Sequence, residues 1–316
     1  MRVLQVIVCQ QLGDFCLQLG NRLAGRLYRA QQRQRNHPSG IHPEFPGQLG
    51  HLVNGDVQHV LRANLVFTPG TQVQYNNNAC DLLAALFPRL SGGWFLDDHL
   101  QQTIFGPLGV VAAHWVKDIH GAPRGAGEFA VRPIDLAKLG QLMLNGGEWN
   151  GQRILSTDWV RSATSPGQPW FEAWGQLWWR HAEYDYSLSS ASLEVWRDLD
   201  VETKHMDAVK GLVGRRFPDR KSILEAVAAA VGPTEFDDVK RKLESTTTRA
   251  PFDKLQRGDL RAYYGEGWLG QYLVVVPDAG IVAVRMRALD EVAQRDPMKD
   301  AFGSFPAEVA RLAHSR

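Results

Sequence analysis

The sequence predicts an α+β domain, in which helices pack with antiparallel strands, and three observations support that class. The chain has 316 residues, 44% of them apolar, which is enough for a sizeable core. Apolar residues recur at helical spacing over Ile134–Leu144, and the predicted helix ends before Asn145-Gly146-Gly147. Two β-rich runs, Tyr272–Pro277 and Ile281–Arg287, are joined by Asp278-Ala279-Gly280, a connection typical of an antiparallel hairpin.

Further helices are predicted on both sides of Ile134–Leu144. One begins at Ser156-Thr157, where a hydroxyl is available as the N-cap. The other predicted helices cover Leu12–Leu27, Asp81–Leu90, Asp97–Ile104, Val201–Arg215, Ser222–Val231 and Ala307–Ala313.

The composition changes along the chain and predicts two parts. Residues 1–54 are rich in Gln, Arg and His and contain no lysine, and Pro38–Gly50 is typical of a loop. We expect an atypical, loop-rich segment at 1–54 that is not the natural start of the domain. The domain itself is predicted over 55–316, with a polar helical insertion at about 197–258.

Charge and composition exclude several classes of partner. A formal charge of +1 indicates no surface for nucleic acid or anionic membrane. Three cysteines without metal-ligand spacing are interpreted as reduced thiols. No run approaches the roughly 18 apolar residues of a membrane span. The sequence leaves the oligomeric state open. For the chain as given it favours a cytoplasmic location, because Gln10-Gln11 interrupts the apolar run that a signal peptide needs. A longer form is compatible with a periplasmic or secreted location.

Neither a cofactor nor a metal is predicted. Gly265-Glu266-Gly267-Trp268-Leu269-Gly270 satisfies G-x-G-x-x-G, but it precedes the β-rich run at Tyr272, whereas a dinucleotide site needs the glycines after a strand and before a helix. Glycines at such a place instead permit close approach of the backbone. The histidines, His205 among them, have no partner at metal-ligand spacing.

Tyr75 and Asn77 form the strongest candidate site. They lie where the turn-rich run from Phe67 to Gln74 gives way to the apolar stretch Ala79–Leu86. Two side chains at such a loop-to-helix junction can point into one cleft. There a phenol can move a proton and an amide can hold a substrate carbonyl.

Several segments that include this pair together resemble a known family. They are Phe67-Thr68-Pro69-Gly70, Tyr75-Asn76-Asn77, Phe105-Gly106-Pro107-Leu108-Gly109, Gly125-Ala126-Gly127, Asp135 to Gly147, Trp149 to Leu155, Trp174 to Trp179, and Gly267 to Tyr272 with Pro277. Over about 55–287 the chain resembles the beta-lactamase-related serine hydrolases. That group includes class C beta-lactamases, D-alanyl-D-alanine carboxypeptidases, esterases and 6-aminohexanoate-oligomer hydrolases.

The resemblance implies a beta-lactamase/transpeptidase-like fold, with an antiparallel sheet flanked by helices and a helical lobe beside it. It implies that Tyr75 accepts the proton of the nucleophile and that Asn77 binds the substrate carbonyl. Gly265-Glu266-Gly267 matches the family's Lys-Thr-Gly or His-x-Gly element on the strand beside the cleft. Gly265, Gly267, Gly270 and Gln271 are therefore the predicted substrate-binding or oxyanion strand. Glycine at the basic position favours an esterase- or amidase-like site.

The family's third element, Ser-x-x-Lys, is absent from the sequence. A lysine one turn after a serine activates the hydroxyl in such enzymes. The first lysine is Lys117, and the residue three places before each lysine is histidine, aspartate, valine or proline. Family spacing places the pair before Met1, so we expect an N-terminally incomplete domain that lacks some N-terminal elements and is inactive as given.

Two main interpretations stay open. The first is a serine-hydrolase domain, by descent acting on an ester, amide or beta-lactam, that takes a small-molecule or peptide-like acyl substrate. The second is a non-catalytic binding or regulatory protein that retains the cleft. The third interpretation is a dinucleotide oxidoreductase. It predicts that NAD stabilises the folded protein, and we do not expect that stabilisation.

Overall fold

The structure is a computed structural model that describes residues 77–111, 114–118, 120–246, 250–288 and 301–315. Its helices are α1 (Asn77–Leu90), α2 (Leu96–Leu100), α3 (Pro133–Leu144), α4 (Thr157–Thr164), α5 (Ser190–Asp198), α6 (Thr203–Ala208), α7 (Arg220–Val231), α8 (Pro233–Glu244) and α9 (Phe305–Ala313). Its strands are β1 (His114–Trp115), β2 (Phe129–Ala130), β3 (Glu148–Trp149), β4 (Gln152–Arg153), β5 (Trp179–Ser187), β6 (Asp253–Gly267), β7 (Gln271–Val276) and β8 (Ile281–Arg285). A π-helix, Gln101–Phe105, follows α2, and a 3-10 helix, Val209–Leu212, follows α6.

Within the described residues, the main sheet has four antiparallel strands in the order β5–β6–β7–β8. The predicted hairpin is confirmed as β7 and β8, whose register runs from the pair Tyr272–Arg285 to the pair Val276–Ile281. Both strands of the hairpin end slightly before their predicted limits.

Both faces of β7 are covered, which explains why all of its residues are buried. Leu273 and Val275 belong to the core shared with α1–α4. Tyr272, Val274 and Val276 point to the opposite face, where Ala310 of α9 packs. Because successive side chains of a strand alternate between faces, a strand between two helical layers is apolar throughout.

Helix α3 packs closely against β7 and β8. A Cβ on Gly140 would lie 2.7 Å from Leu273 Cδ1 and 2.6 Å from Val282 Cγ1, so glycine lets the helix approach the sheet. At the start of the helix, the fully buried Asp135 forms ion pairs with Arg132 at 2.6 Å and Lys138 at 2.8 Å. These two partners hold the pKa of Asp135 at about 2, below its usual value.

Helices α5–α8, together with the 3-10 helix, form a helical lobe between β5 and β6. The lobe has a hydrophobic core of its own. That core includes Leu188, Trp196, Val209, Ile223, Val227, Val239 and Leu243. The indole of Trp196 also donates a 2.7 Å hydrogen bond to the carbonyl of Pro251, just before β6. The α+β class and the helical lobe expected from the sequence are therefore present.

The structure corrects several predicted boundaries. Strand β6 begins at Asp253, inside the insertion predicted at about 197–258, and α5 begins before that insertion. The continuous helix predicted over Val201–Arg215 is α6 followed by the 3-10 helix. The helix predicted over Asp97–Ile104 changes to π-helical geometry after Leu100, with the amide of Gly106 bonded to the carbonyl of Gln101 at 2.8 Å.

Strand β5 was not predicted, because its buried positions carry polar side chains. Arg180, Asp185 and Ser187 are all buried. The Arg180 guanidinium donates to the carbonyls of Thr164 and Glu172, and Asp185 accepts from Arg257 at 2.9 Å. Such partners come from distant segments, so local periodicity did not reveal the strand.

The predicted helix Leu12–Leu27 and the segment 1–54 lie outside the described residues. In the part of the chain that the structure covers, every helix is too short or too polar to cross a bilayer.

Candidate active site

Asn77 is the first residue of α1, so the helix begins four residues earlier than predicted. Tyr75 lies outside the described residues, and so does the side chain of Asn77. The structure shows instead which contacts hold the start of α1.

The loop Gly125-Ala126-Gly127 holds the first turn of α1. The amide of Ala126 donates a 2.8 Å hydrogen bond to Oδ1 of Asp81, one turn after Asn77. Burial raises the pKa of Asp81 above its usual value, and the bond from Ala126 opposes that shift. The loop therefore fixes the helix at the end where the candidate site begins.

Gly125 allows this approach. A Cβ at this position would lie 2.2 Å from the carbonyl oxygen of Cys80, a backbone atom that cannot move aside without shifting α1. The loop is itself held by Trp115, whose indole N–H lies 2.8 Å from the carbonyl of Arg124 and 3.0 Å from that of Gly127. The Trp115 ring packs edge-on against Phe129.

Gly265 and Gly267 lie at the end of strand β6. They pair with Leu273 and Gln271 of β7. The ladder with β5 ends at the pair Trp179–Tyr264. Gly265 and Gly267 therefore lie beyond the last residue pair between β5 and β6. At these glycines, the edge of β6 that faces β5 is not paired with that strand.

Gly270 lies in the turn between β6 and β7, with a φ of 73°. A Cβ there would lie 1.8 Å from the carbonyl oxygen of Ala301. The guanidinium of Arg285 donates to the carbonyls of Leu269, Gly270 and Ala301, which ties the turn to β8 and to the segment before α9. Glycine is therefore needed at position 270 for both space and backbone conformation.

The side chain of Gln271 is bonded to the backbone of Arg287 at both ends. Its Nε2 donates to the carbonyl of Arg287 at 2.5 Å, and its Oε1 accepts from the amide of Arg287 at 2.7 Å. These two contacts attach the end of the β6–β7 hairpin to the chain that leaves β8.

Aromatic and acidic side chains lie beside the glycines. Tyr272 is opposite Glu266 across the strands, and its hydroxyl lies 3.4 Å from Glu266 Oε1. Burial raises the pKa of Tyr272 to about 12, with the Glu266 carboxylate adding to the shift. Tyr272 is therefore a neutral donor at physiological pH.

Of the predicted site residues, the structure brings Gly265, Gly267, Gly270 and Gln271 together in one hairpin. Tyr75 and the side chain of Asn77 lie outside the described residues. The sequence analysis did not predict the contacts by which Asp81, Ala126 and Arg285 hold the helix and the turn. No local signal reveals Asp81 with Ala126, since they lie 45 residues apart.

One histidine has a partner that spacing did not predict. His205 is buried, and its Nε2 lies 2.7 Å from Oε2 of Glu235 on α8, with Glu202 close by. Among the described residues, these three form the one such group near enough to share a cation. However, the ammonium of Lys204 lies 2.9 Å from Glu235 and 3.4 Å from Glu202. Because Lys204 already balances the carboxylates, we assign no metal here.

The sequence model of the Beta-lactamase family matches residues 36–302. The chain belongs to the beta-lactamase family. The match begins within the segment predicted to precede the domain. No curated protein sequence has a significant match to the chain.

Two solved structures illustrate the likeness of this beta-lactamase-family chain. One is a proposed 6-aminohexanoate-dimer hydrolase from Bacillus anthracis, with a TM-score of 0.53 and 15% identity over 98% of this chain and 71% of that one. Its likeness supports the beta-lactamase/transpeptidase-like fold. The other is a proposed beta-lactamase from Bacteroides dorei DSM 17855, with a TM-score of 0.43 and 18% identity over 81% of this chain. The chain spans 64% of the length of that second protein.

Proposed function

We propose that the chain is a hydrolase-type domain whose cleft, formed by Tyr75, Asn77 and the end of β6, binds a small-molecule or peptide-like ester, amide or beta-lactam. The match to the beta-lactamase family over residues 36–302 carries this proposal. Tyr75 would accept a proton and Asn77 would hold the carbonyl of the ligand, as in the family's Tyr-x-Asn element.

The contacts at both ends of the proposed cleft support this assignment. Ala126 and Gly125 fix the start of α1, directly after the Tyr75–Asn77 pair. Gly265 and Gly267 extend past the end of β5, where backbone groups of β6 could bind an extended acyl ligand. We propose that Gly270 and Gln271 position this strand and do not contact the ligand, because both are engaged with Ala301, Arg285 and Arg287.

We infer that the chain as given does not form an acyl-enzyme. No lysine in the sequence follows a serine or threonine by three residues. Without a nucleophile and its activator, covalent turnover should fall by several orders of magnitude. Any remaining hydrolysis would depend on binding and on the oxyanion site.

Glycine at position 265 favours neutral ligands. A lysine or histidine there would supply a cation for a substrate carboxylate, and Gly265 supplies none. We therefore propose esters and amides as the preferred ligands over penicillins with a free carboxylate.

We also propose that residues 55–316 form the hydrolase domain, into which the helical lobe is inserted.

The direct test is covalent labelling of the purified chain with a fluorophosphonate and with a fluorescent penicillin. We expect no labelling, together with saturable binding of a neutral p-nitrophenyl ester that Asn77→Ala weakens. A labelled serine would contradict the inactive assignment. Absence of any binding would remove the proposed cleft.

A second candidate is a non-catalytic binding or regulatory protein, favoured by the same missing Ser-x-x-Lys pair. The two candidate functions predict different rates of ester hydrolysis. A rate above that of buffer, lost in Tyr75→Phe, indicates a residual hydrolase. Binding without any hydrolysis above buffer indicates the binding protein.

A further inference from the structure

The two ring nitrogens of His314 each face an oxygen atom that accepts hydrogen bonds. Nδ1 lies 2.7 Å from the carbonyl oxygen of Ala310 in α9. Nε2 lies 2.7 Å from Oδ2 of Asp278, in the turn between β7 and β8. A neutral imidazole has one N–H and donates only one of these bonds, whereas the imidazolium donates both. The geometry therefore selects the protonated ring.

The position of His314 also favours a positive charge. The residue directly follows the last residue of α9, where the helix dipole is negative. The bond to the carbonyl of Ala310 and then the carboxylate of Asp278 raise the pKa of His314 above its usual 6.5. The bond from His314 in turn lowers the pKa of Asp278 below its usual 3.8. Each of the two groups thus stabilises the charged form of the other.

Other charged groups near this pair come from β6 and α9. Arg261 of β6 opposes the shift, because its positive charge lowers the pKa of His314. Glu308 and Arg311 are the charged residues within α9, and they pair with each other at 2.9 Å. In the part of the chain that the structure covers, Asp278 is therefore the carboxylate that balances His314.

Helix α9 is attached at both ends, and the two attachments respond differently to pH. Before its first turn, the guanidinium of Arg285 donates to the carbonyl of Ala301 at 3.4 Å and lies over the ring of Phe302. A guanidinium stays charged throughout the physiological range. At the other end, the attachment is the bond between His314 and Asp278, and histidine titrates near neutral pH. Loss of a proton therefore weakens the C-terminal attachment and leaves the N-terminal one intact.

We propose that His314 and Asp278 form a proton-dependent latch that holds the C-terminal end of α9 on the β7–β8 turn. The latch is closed when the imidazole carries both protons and the carboxylate is ionised. When the imidazole loses a proton, one ring nitrogen presents a lone pair to an oxygen, and one of the two bonds is lost. The end of α9 then leaves the turn more often and uncovers the apolar face of β7 on which Ala310 packs. The latch does not depend on the proposed hydrolase cleft.

The pH range of the closed latch follows from the two groups. His314 has a raised pKa, so its contribution to stability is complete below 6.5 and is lost as pH rises through the folded value. Asp278 has a lowered pKa, so its contribution is complete above 3.8 and is lost as pH falls through the folded value. The latch is therefore closed between these ordinary values and opens at mildly alkaline pH.

The test is amide hydrogen exchange of the whole chain at about pH 6 and about pH 8.5, with rates corrected for the intrinsic effect of pH. We expect protection of residues 311–313 to fall several-fold at the higher pH, while residues 271–276 of β7 keep theirs. His314→Gln should remove this pH response. His120→Gln changes an exposed histidine outside α9 and should retain it. Equal protection of residues 311–313 at the two pH values would overturn the proposal.

A second measurement reports the proton on the ring directly. The imidazole signal that is missing from the NMR spectrum of His314→Gln is followed across pH in the unmodified chain. Its midpoint should lie above 6.5 and should fall in Asp278→Asn, which removes the carboxylate but keeps the shape of the side chain. The same variant should show reduced protection of residues 311–313 at about pH 6. A midpoint at or below 6.5 in the unmodified chain would show that the latch does not hold the proton.

Discussion

The amide of Ala126 and the carboxylate of Asp81 are joined by a 2.8 Å hydrogen bond that spans 45 residues of chain. This bond attaches the Gly125-Ala126-Gly127 loop to the first turn of α1. The glycine loop, which the sequence analysis identified as a separate segment, therefore supports the helix that begins at Asn77.

Gly125→Ala should destabilise the protein. The new Cβ would lie 2.2 Å from the carbonyl oxygen of Cys80, so the loop and α1 must move apart. We expect a loss of about 1–3 kcal/mol in the free energy of unfolding, typical of overpacking. Chemical denaturation provides the measurement. Gly211→Ala is the control, because nothing lies within 4 Å of its added Cβ. Equal stability of the two variants would show that the contact tolerates a methyl group.

Gln271→Leu should also destabilise the protein. The substitution leaves the amide and the carbonyl of Arg287 without the Gln271 side chain, and the expected cost is about 1–3 kcal/mol for unsatisfied groups. The control is Gln152→Leu on the exposed strand β4. Hydrogen exchange at the β6–β7 turn should quicken in the first variant and stay unchanged in the second. Unchanged exchange in Gln271→Leu would show that Arg285 alone holds the turn.

Asp135 should stabilise the protein above about pH 4. Arg132 and Lys138 hold its pKa at about 2 in the folded state, below the usual 3.8. A depressed pKa contributes stability above the unfolded value, and that contribution is lost as pH falls through the folded value. Thermal unfolding of Asp135→Asn should therefore show a deficit at pH 7 that shrinks between pH 4 and pH 2. A constant deficit would assign the effect to packing.

Asp253 should have the opposite pH dependence. Burial raises its pKa to about 6, although Ser189 donates to its carboxylate at 2.8 Å. A raised pKa contributes stability below the unfolded value of 3.8, and that contribution disappears as pH rises through about 6. Relative to the wild type, Asp253→Asn should gain stability between pH 4 and pH 7. A loss over the same range would show that the charged carboxylate is favourable.

The sequence predicted the elements whose patterns are local. Helix α3 has apolar residues at helical spacing and ends before Asn145-Gly146-Gly147, and the β7–β8 hairpin has a short turn. Strand β5 was missed because Arg180 and Asp185 are buried with partners from distant segments.

The candidate site was predictable only in part, for the same physical reason. The glycines at 265, 267 and 270 were identified from a motif, but their place in a hairpin depends on pairing with β7. The support of α1 by Ala126 and the fixation of Gln271 on Arg287 arise from tertiary contacts. The roles of Tyr75 and Asn77 stay predictions.

The position of the helical lobe has a consequence for the order of folding. Strands β5 and β6 are neighbours in the sheet, yet the lobe separates them, and the bond from Ser189 to Asp253 joins residues 64 apart. Closing an unstructured loop of that length costs about 4 kcal/mol in chain entropy. A lobe that folds first around its own core brings its two ends together and removes most of that cost. We therefore expect the lobe to form before the two strands pair, so that the folding of the lobe determines how fast the main sheet assembles.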